Sequence, residues 1–234
     1  MILAFALLLA QEEMRLHSDL VKGQKFSVTS DLEIAGDVGP SKLHARLQVT
    51  VKEAASSSAR IVEFSGKGSV TPGGARWGYD LQWTAGIDFG KTVISHLPLK
   101  EAQKAAEDLD DALKTEWTVK SKGLDATLEG KPESFTFLQA WAPKLFLLPG
   151  PLPFAGRQVK QGEVFEEGGF TWTVDDIKVG KESKGASVSG KAAGRKVRLG
   201  IDSRGFTTSL DFQAFEKDPE KPSLKLVIAA ERQP

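Results

Sequence analysis

Apolar and polar side chains alternate with a period of two residues over most of the chain. The clearest run places Leu43, Ala45, Leu47, Val49 and Val51 on one side, with polar or charged residues between them. Successive side chains of a β-strand point to opposite faces of a sheet, so this pattern predicts strands with one dry face and one wet face. Similar runs occur at 26–34, 62–70, 77–83, 170–179, 197–201, 206–214 and 224–230.

Two of these runs carry details that bear on strand register. In one, the phase of the alternation changes at Asp175–Asp176. In a later run, strict alternation predicts one shared apolar face for Phe206, Thr208, Leu210, Phe212 and Ala214.

The breaks between the runs carry residues that can reverse the chain. Glycine adopts positive φ at little cost, so Pro72–Gly74, Lys122–Gly123, Gly168–Gly169 and Ser203–Gly205 are predicted turns. Several strands are about ten residues long. Long strands linked by hairpins suit a strongly curved antiparallel sheet, which must close or cover its open face.

Two segments depart from the β pattern. At about 98–115, apolar residues fall at helical spacing with charged residues opposite them, which predicts an amphipathic helix whose apolar set extends to Trp117. A second, very apolar helix is predicted at about 134–148, kinked or divided at Pro143. The predicted fold is therefore mainly β (α+β): a long-stranded curved antiparallel sheet or half-barrel with two interposed helices.

The N-terminal residues 1–10 form an unbroken apolar run followed by polar residues. A membrane span takes about 20 residues, so this shorter run indicates a signal peptide cleaved after residue 10, although a buried helix or strand is the alternative. The predicted location is extracytoplasmic and bacterial: periplasm, cell envelope or secreted. Residues 11–234 are predicted to be a single β-rich domain, with two halves at 20–148 and 154–234 as the alternative, joined by a Pro-rich crossing.

Charge and composition exclude several classes of function. Lys and Arg total 31 and Asp and Glu total 31, so the chain lacks the positive surplus that phosphate backbones require, and no nucleic-acid partner is expected. There is no cysteine, which excludes disulfides and thiolate sites. No run beyond the N-terminus is long and apolar enough for a transmembrane segment.

Candidate catalytic motifs are weak. Residues 85–92 loosely match a phosphate-binding loop, but that loop needs a helix directly after it, whereas a strand is predicted to follow. The three histidines, His17, His44 and His96, show no metal-ligand spacing. Adjacent carboxylates on a strand point to opposite faces and do not form a catalytic pair. No catalytic residue, metal site or cofactor is therefore predicted, and the chain is not expected to be an enzyme.

Aromatic residues are the remaining signal. An ordinary hydrophobic core explains them, and the functional alternative is a cavity between a curved sheet and covering helices, open to a hydrophobic ligand. The residues predicted to line that groove are Trp77, Trp83, Trp117, Phe137, Trp141, Phe146 and Trp172.

Three short motifs carry a family resemblance. Gly23–Phe26 opens the first long strand, the second predicted helix ends in Leu147–Pro149, and Val159–Phe165 begins the second half. In these features the chain resembles a family of uncharacterised bacterial secreted β-rich proteins with no established activity. In architecture alone it is similar to the half-barrel of periplasmic lipoprotein carriers, in which helices plug a groove that holds acyl chains.

These observations lead to three functional hypotheses. The first is a non-catalytic extracytoplasmic protein that binds a hydrophobic small molecule, a lipid or a lipidated partner in the aromatic-lined groove. The second is a structural or interaction module of the cell envelope that uses an exposed sheet surface. The third is a hydrolase whose active-site residues are dispersed along the sequence.

Overall fold

The regular secondary structure of the described chain consists of β-strands. The computed structural model describes residues 13–16, 21–37, 39–56, 59–71, 80–85, 93–95, 116–122, 125–129, 154, 156–179, 184–216 and 218–234. The predicted signal peptide (1–10) and the two predicted helices (about 98–115 and 134–148) lie outside these residues. Within them, no helix has the length and hydrophobicity needed to cross a membrane.

Fifteen strands occur in the described part of the chain. Their bounds are β1 (Glu13–Arg15), β2 (Lys25–Ile34), β3 (Ser41–Ser56), β4 (Ala59–Thr71), β5 (Asp80–Ala85), β6 (Val93–Ser95), β7 (Glu116–Lys122), β8 (Asp125–Glu129), β9 (Gln158–Lys160), β10 (Val164–Glu167), β11 (Phe170–Val179), β12 (Lys184–Ala192), β13 (Arg195–Ile201), β14 (Thr207–Ala214) and β15 (Leu224–Arg232).

Thirteen of these strands form one antiparallel sheet. Its order is β10-β11-β12-β13-β14-β15-β2-β3-β4-β5-β6, with β7 pairing to both β4 and β8, while β1 and β9 form a separate two-stranded sheet. The first and last long strands, β2 and β15, pair with each other, so strands from 20–148 and 154–234 share one sheet. No pairing between the described strands closes the sheet from β10 to β6. The predicted antiparallel sheet is confirmed; the half-barrel shape and the helices stay predictions.

The apolar rows of the sequence become one buried face of the sheet. Along β2 and β3, the residues at every second position are buried, and the register sets Phe26 opposite Val49 and Val28 opposite Leu47. Burying one such side chain contributes about 1.5–3 kcal/mol. One cross-strand row of this face consists of Val188, Leu199, Leu210, Ile228, Ser30 and Ala45.

Two irregularities in strand pairing shift the alternation. The phase change predicted at Asp175–Asp176 coincides with a register shift in β11, which keeps Val174 and Ile177 both buried. A second shift lies between β13 and β14, where one residue is unpaired and the following strand changes phase. As a result Thr207, not Thr208, lies on the apolar face, and the sequence prediction for Thr208 was wrong.

Two further predictions are resolved by the backbone. Trp117 belongs to β7, which pairs with β4, so its assignment to the apolar set of a helix was wrong. β5 and β6 pair antiparallel, with Asp80 opposite Ser95, so the segment 86–92 connects two antiparallel strands. A phosphate-binding loop requires a helix at that point, and this motif is therefore a connection between strands.

Candidate functional site

One aromatic residue predicted to line a groove, Trp172, lies in a tightly packed cluster. Its ring centroid is 4.7 Å from that of Phe154 at an interplanar angle of 76°, and 5.4 Å from that of Phe170. Phe165 packs edge-on against Phe154 at 5.4 Å. The indole N–H donates to the carbonyl oxygen of Glu167 at 2.9 Å, so the polar atom of the buried ring is satisfied. This cluster contributes packing to the core.

The other predicted groove residues are only partly placed. Trp83 lies in β5 opposite Gly68 of β4, and Trp117 lies in β7 opposite Val62 of β4. The remaining predicted residues lie outside the described residues: Trp77, Phe137, Trp141 and Phe146. A groove formed by all seven aromatic residues stays a prediction.

A pocket opens at one end of the sheet, where β2 begins, β15 ends and the turn between β13 and β14 lies. We call it the strand-end pocket. Its empty volume is about 270 Å³, including the space open to solvent. It is lined by Gln24, Phe26, Asp202, Phe206, Thr207, Thr208, Ala230 and Arg232.

Strand register explains the mixture of apolar and polar groups in this pocket. In β15 the inward-facing positions are every second residue, so Ile228 and Ala230 are buried and Arg232 occupies the next position of that row. Arg232 pairs with Phe26 of β2, which is also buried. The apolar face therefore ends at an exposed guanidinium group.

The hydroxyl group of Thr207 is the unusual feature of the pocket. Thr207 is only 2% exposed, and its Oγ1 atom has no hydrogen-bond partner among the residues that the structure describes. Leaving a buried hydroxyl unpaired costs about 1–3 kcal/mol, and buried polar groups are normally paired. Thr207 is thus a residue of the pocket wall whose buried hydroxyl group is unpaired within the described part of the chain.

The turn between β13 and β14 fixes one wall of the pocket. The Asp202 carboxylate accepts hydrogen bonds from the backbone N–H groups of Arg204 at 2.9 Å and Phe206 at 3.0 Å. Gly205 has φ of +85°, a conformation that glycine adopts without strain. The turn places Phe206 in the wall of the pocket, and its backbone N–H groups occupy one carboxylate oxygen of Asp202.

Arg232 carries the positive charge of the pocket. Its guanidinium carbon lies 5.9 Å from the centroid of the Phe206 ring, within the range of a cation–π contact. Within the described ranges, no ion pair joins Arg232 to a carboxylate. Arg157, in contrast, pairs with Glu163 at 2.9 Å and Glu167 at 4.0 Å.

The groups with shifted pKa values lie elsewhere, around the two-stranded sheet. The Lys160 ammonium is 2.9 Å from Glu13, and its hydrogen bond lowers the pKa of Glu13 while raising the pKa of Lys160. A hydrogen bond from Arg157 lowers the pKa of Glu163. The Glu13–Lys160 pair links β1 to β9, and the Arg157–Glu163 pair joins the residue before β9 to the turn after it. We call these two ion pairs the β1–β9 latch.

Sequence reasoning missed the strand-end pocket. Two signals were present in the sequence. Arg232 follows Leu226, Ile228 and Ala230 at the same two-residue spacing. Two adjacent threonines, Thr207 and Thr208, lie where the alternation of β14 begins. A charged residue at an inward position marks the rim of an apolar face. Alternation alone does not reveal which of two adjacent threonines is buried, because a bulge changes the phase.

Comparisons with known proteins give only weak similarities. No family model and no curated protein matches the sequence. Two solved structures are similar. A LolA superfamily protein from Nitrosomonas europaea has 10% identity and a TM-score of 0.22, with 93% of this chain and 86% of that chain covered. A putative outer membrane lipoprotein-sorting protein domain from Vibrio parahaemolyticus has 8% identity and a TM-score of 0.22, with coverage of 92% and 88%. At TM-scores of 0.22, these similarities carry no argument about the fold or the function of this chain.

Proposed function

We propose that this chain is an extracytoplasmic, non-catalytic protein that binds a hydrophobic ligand, whose apolar part enters the strand-end pocket. One observation carries the proposal: the apolar face of the sheet reaches solvent at a pocket that contains a buried, unpaired hydroxyl group. Ligand pockets are typically apolar with a few polar groups that fix the orientation of the ligand.

The apolar wall of the pocket supplies the driving force for binding. Phe26 and Ala230 are buried members of the sheet face, and Phe206 adds a half-buried ring. Each methylene group of a ligand that is buried there contributes about 0.8 kcal/mol. The aromatic groove predicted from the sequence would extend the same binding surface.

The alternative hypotheses find less support. An interaction module requires a contiguous exposed apolar patch. In the described residues the large exposed apolar side chains are Val21, before β2, and Val164, in β10, and five strands lie between β10 and β2 in the sheet. For a hydrolase, the titratable or charged groups of the pocket are Asp202 and Arg232, which do not form a nucleophile–base pair.

Binding of N-phenyl-1-naphthylamine, an uncharged hydrophobic fluorophore, tests the proposal. We expect saturable enhancement of its fluorescence by the full chain, and co-purifying ligand in native mass spectra. Ala230→Met places a larger side chain in the pocket and is expected to weaken binding about tenfold or more. Ala229→Met, the neighbouring exposed position of the same strand, is the matched control and should bind as the wild type does.

Two results would contradict the proposed function. The first is a wild-type protein that neither carries a ligand nor binds the fluorophore. The second is equal binding by the two methionine variants, provided that thermal unfolding shows both to be folded. The wild-type measurement remains decisive if Ala230→Met does not fold.

A further inference from the structure

We propose that the strand-end pocket selects a single-chain amphiphile with a carboxylate head group, which accepts hydrogen bonds from Thr207 and Arg232. This inference rests on the proposed function and adds the chemistry of the ligand's polar end. It follows from the unpaired hydroxyl group of Thr207, from the guanidinium group of Arg232, which forms no ion pair with a described carboxylate, and from their positions on the sheet.

Hydrogen-bond capacity within the pocket favours a ligand with an acceptor oxygen. Thr207 lines the pocket, and its buried hydroxyl donates to no atom of the described residues. A purely hydrocarbon ligand would leave this hydroxyl unpaired, whereas an acceptor oxygen would satisfy it. The pocket therefore favours a ligand whose apolar chain ends in an oxygen acceptor.

The charge at the rim of the pocket favours an anionic head group. Arg232 stands at an inward-facing position of β15, and the ring of Phe206 lies under its guanidinium group. Guanidinium groups form two parallel hydrogen bonds with carboxylates, and a charge-assisted hydrogen bond is about twice as strong as a neutral one. Gln24 lines the same opening and is half-buried. The rim is thus suited to an anionic, planar head group.

Asp202 limits how much negative charge the pocket accepts. One of its oxygens is held by two backbone N–H groups of the turn, but the carboxylate still lines the pocket. A dianionic phosphate would face this carboxylate with only one guanidinium group to balance it. A monoanionic carboxylate is the better match in charge.

Displacement of bound N-phenyl-1-naphthylamine by three ligands of equal chain length tests the head group. The ligands are dodecanoate, dodecanol and dodecyl phosphate, each below the concentration at which it forms micelles. We expect dodecanoate to bind about tenfold more tightly than either of the others, which corresponds to one charge-assisted interaction.

Two variants with matched controls assign the contacts. Arg232→Gln should abolish the preference for dodecanoate over dodecanol, while Lys225→Gln, the same charge change at an exposed position of the same strand, should leave it intact. Thr207→Val should weaken both dodecanoate and dodecanol about five- to tenfold. Ser30→Ala also removes a buried, unpaired hydroxyl, but one that does not line the pocket, and should change neither affinity.

The outcomes separate this inference from the proposed function. If the fluorophore binds but dodecanoate and dodecanol compete equally, the head-group assignment is overturned and hydrophobic binding stands. Tighter binding of dodecyl phosphate than of dodecanoate would overturn the carboxylate assignment and show that the pocket prefers a phosphate head group. If the fluorophore does not bind at all, the proposed function itself has failed.

Discussion

The cluster around Trp172 and the strand-end pocket lie on the same apolar face but differ in how fully their groups are satisfied. In the cluster, ring centroids lie 4.7–5.4 Å apart and the one polar atom of the indole ring is hydrogen-bonded. In the pocket, the Thr207 hydroxyl is buried without a partner beside empty space. Hydrophobicity alone therefore does not distinguish packing from binding, whereas an unsatisfied polar group next to a cavity does.

The largest expected effect comes from emptying the packed cluster. Trp172→Ala removes a fully buried ring and leaves a cavity among Phe154, Phe165 and Phe170, and it should lower the free energy of unfolding by about 3–5 kcal/mol. Urea unfolding followed by circular dichroism measures this loss. A loss below about 1 kcal/mol would mean that the cluster is not packed as described.

Overfilling the same cluster should have the next largest effect. A Cβ atom at Gly190 would lie 2.7 Å from ring carbon Cζ3 of Trp172 and 2.7 Å from Cγ1 of Val197. Gly190→Ala is therefore expected to lower the free energy of unfolding by about 1–3 kcal/mol. Ser187→Ala, on the other face of the same strand, is the control and should change the stability by less than about 0.5 kcal/mol.

In the pocket, one substitution is expected to raise the free energy of unfolding, whereas the two substitutions in the cluster lower it. Thr207→Val removes the unpaired hydroxyl while keeping the shape of the side chain, and it should raise the free energy of unfolding by about 1 kcal/mol. Thr208→Val provides the comparison, because the Thr208 hydroxyl donates to the carbonyl of Gly200 at 3.3 Å. The Thr208 variant should lose about 0.5–1 kcal/mol. Destabilisation by Thr207→Val would show that its hydroxyl is paired in solution.

The smallest expected effect concerns the β1–β9 latch and depends on pH. The folded-state pKa values of Glu13 and Glu163 lie below their ordinary value of 4.5, so their stabilising contribution is present above pH 4.5 and is lost as the pH falls through the lowered values. The pKa of Lys160 is raised, so its stabilising contribution has the opposite pH dependence and is lost only above pH 10.5.

Amide hydrogen exchange checks this prediction. Protection of the Val159 amide in β9, corrected for the intrinsic exchange rate, should fall between pH 6 and pH 3, and the Leu199 amide in β13 should change less. High salt should weaken the latch at pH 6, because exposed ion pairs are screened. Equal changes at both amides would indicate that acid loosens the whole sheet and not the latch.

The sequence predicted the sheet where large apolar residues alternate, as in β2, β3, β13 and β15. It missed β12 (Lys184–Ala192), because the core-facing positions of this strand, apart from Val188, carry the small residues Ala186, Gly190 and Ala192. The structure gives the reason for one of these: Gly190 leaves room for the indole ring of Trp172. When a large side chain on a neighbouring strand needs the space, the small residue that leaves room for it cannot be recognised from the pattern of its own strand.

The strand-end pocket could not be predicted from the sequence for a different reason. Its walls come from the start of β2, the end of β15 and the turn between β13 and β14, and the pairing of β2 with β15 joins residues about 200 positions apart. The bulge that buries Thr207 leaves no mark on the hydrophobic pattern. The apolar residues were predictable because burial follows hydrophobicity, but the polar groups of the pocket depend on register.

An NMR titration of the isotope-labelled protein with dodecanoate compares the two regions directly. The account predicts saturable chemical-shift changes at the amides of Phe26, Thr207 and Arg232, with no comparable change at the indole N–H of Trp172. Changes centred on Trp172, or none at the three pocket amides, would contradict it.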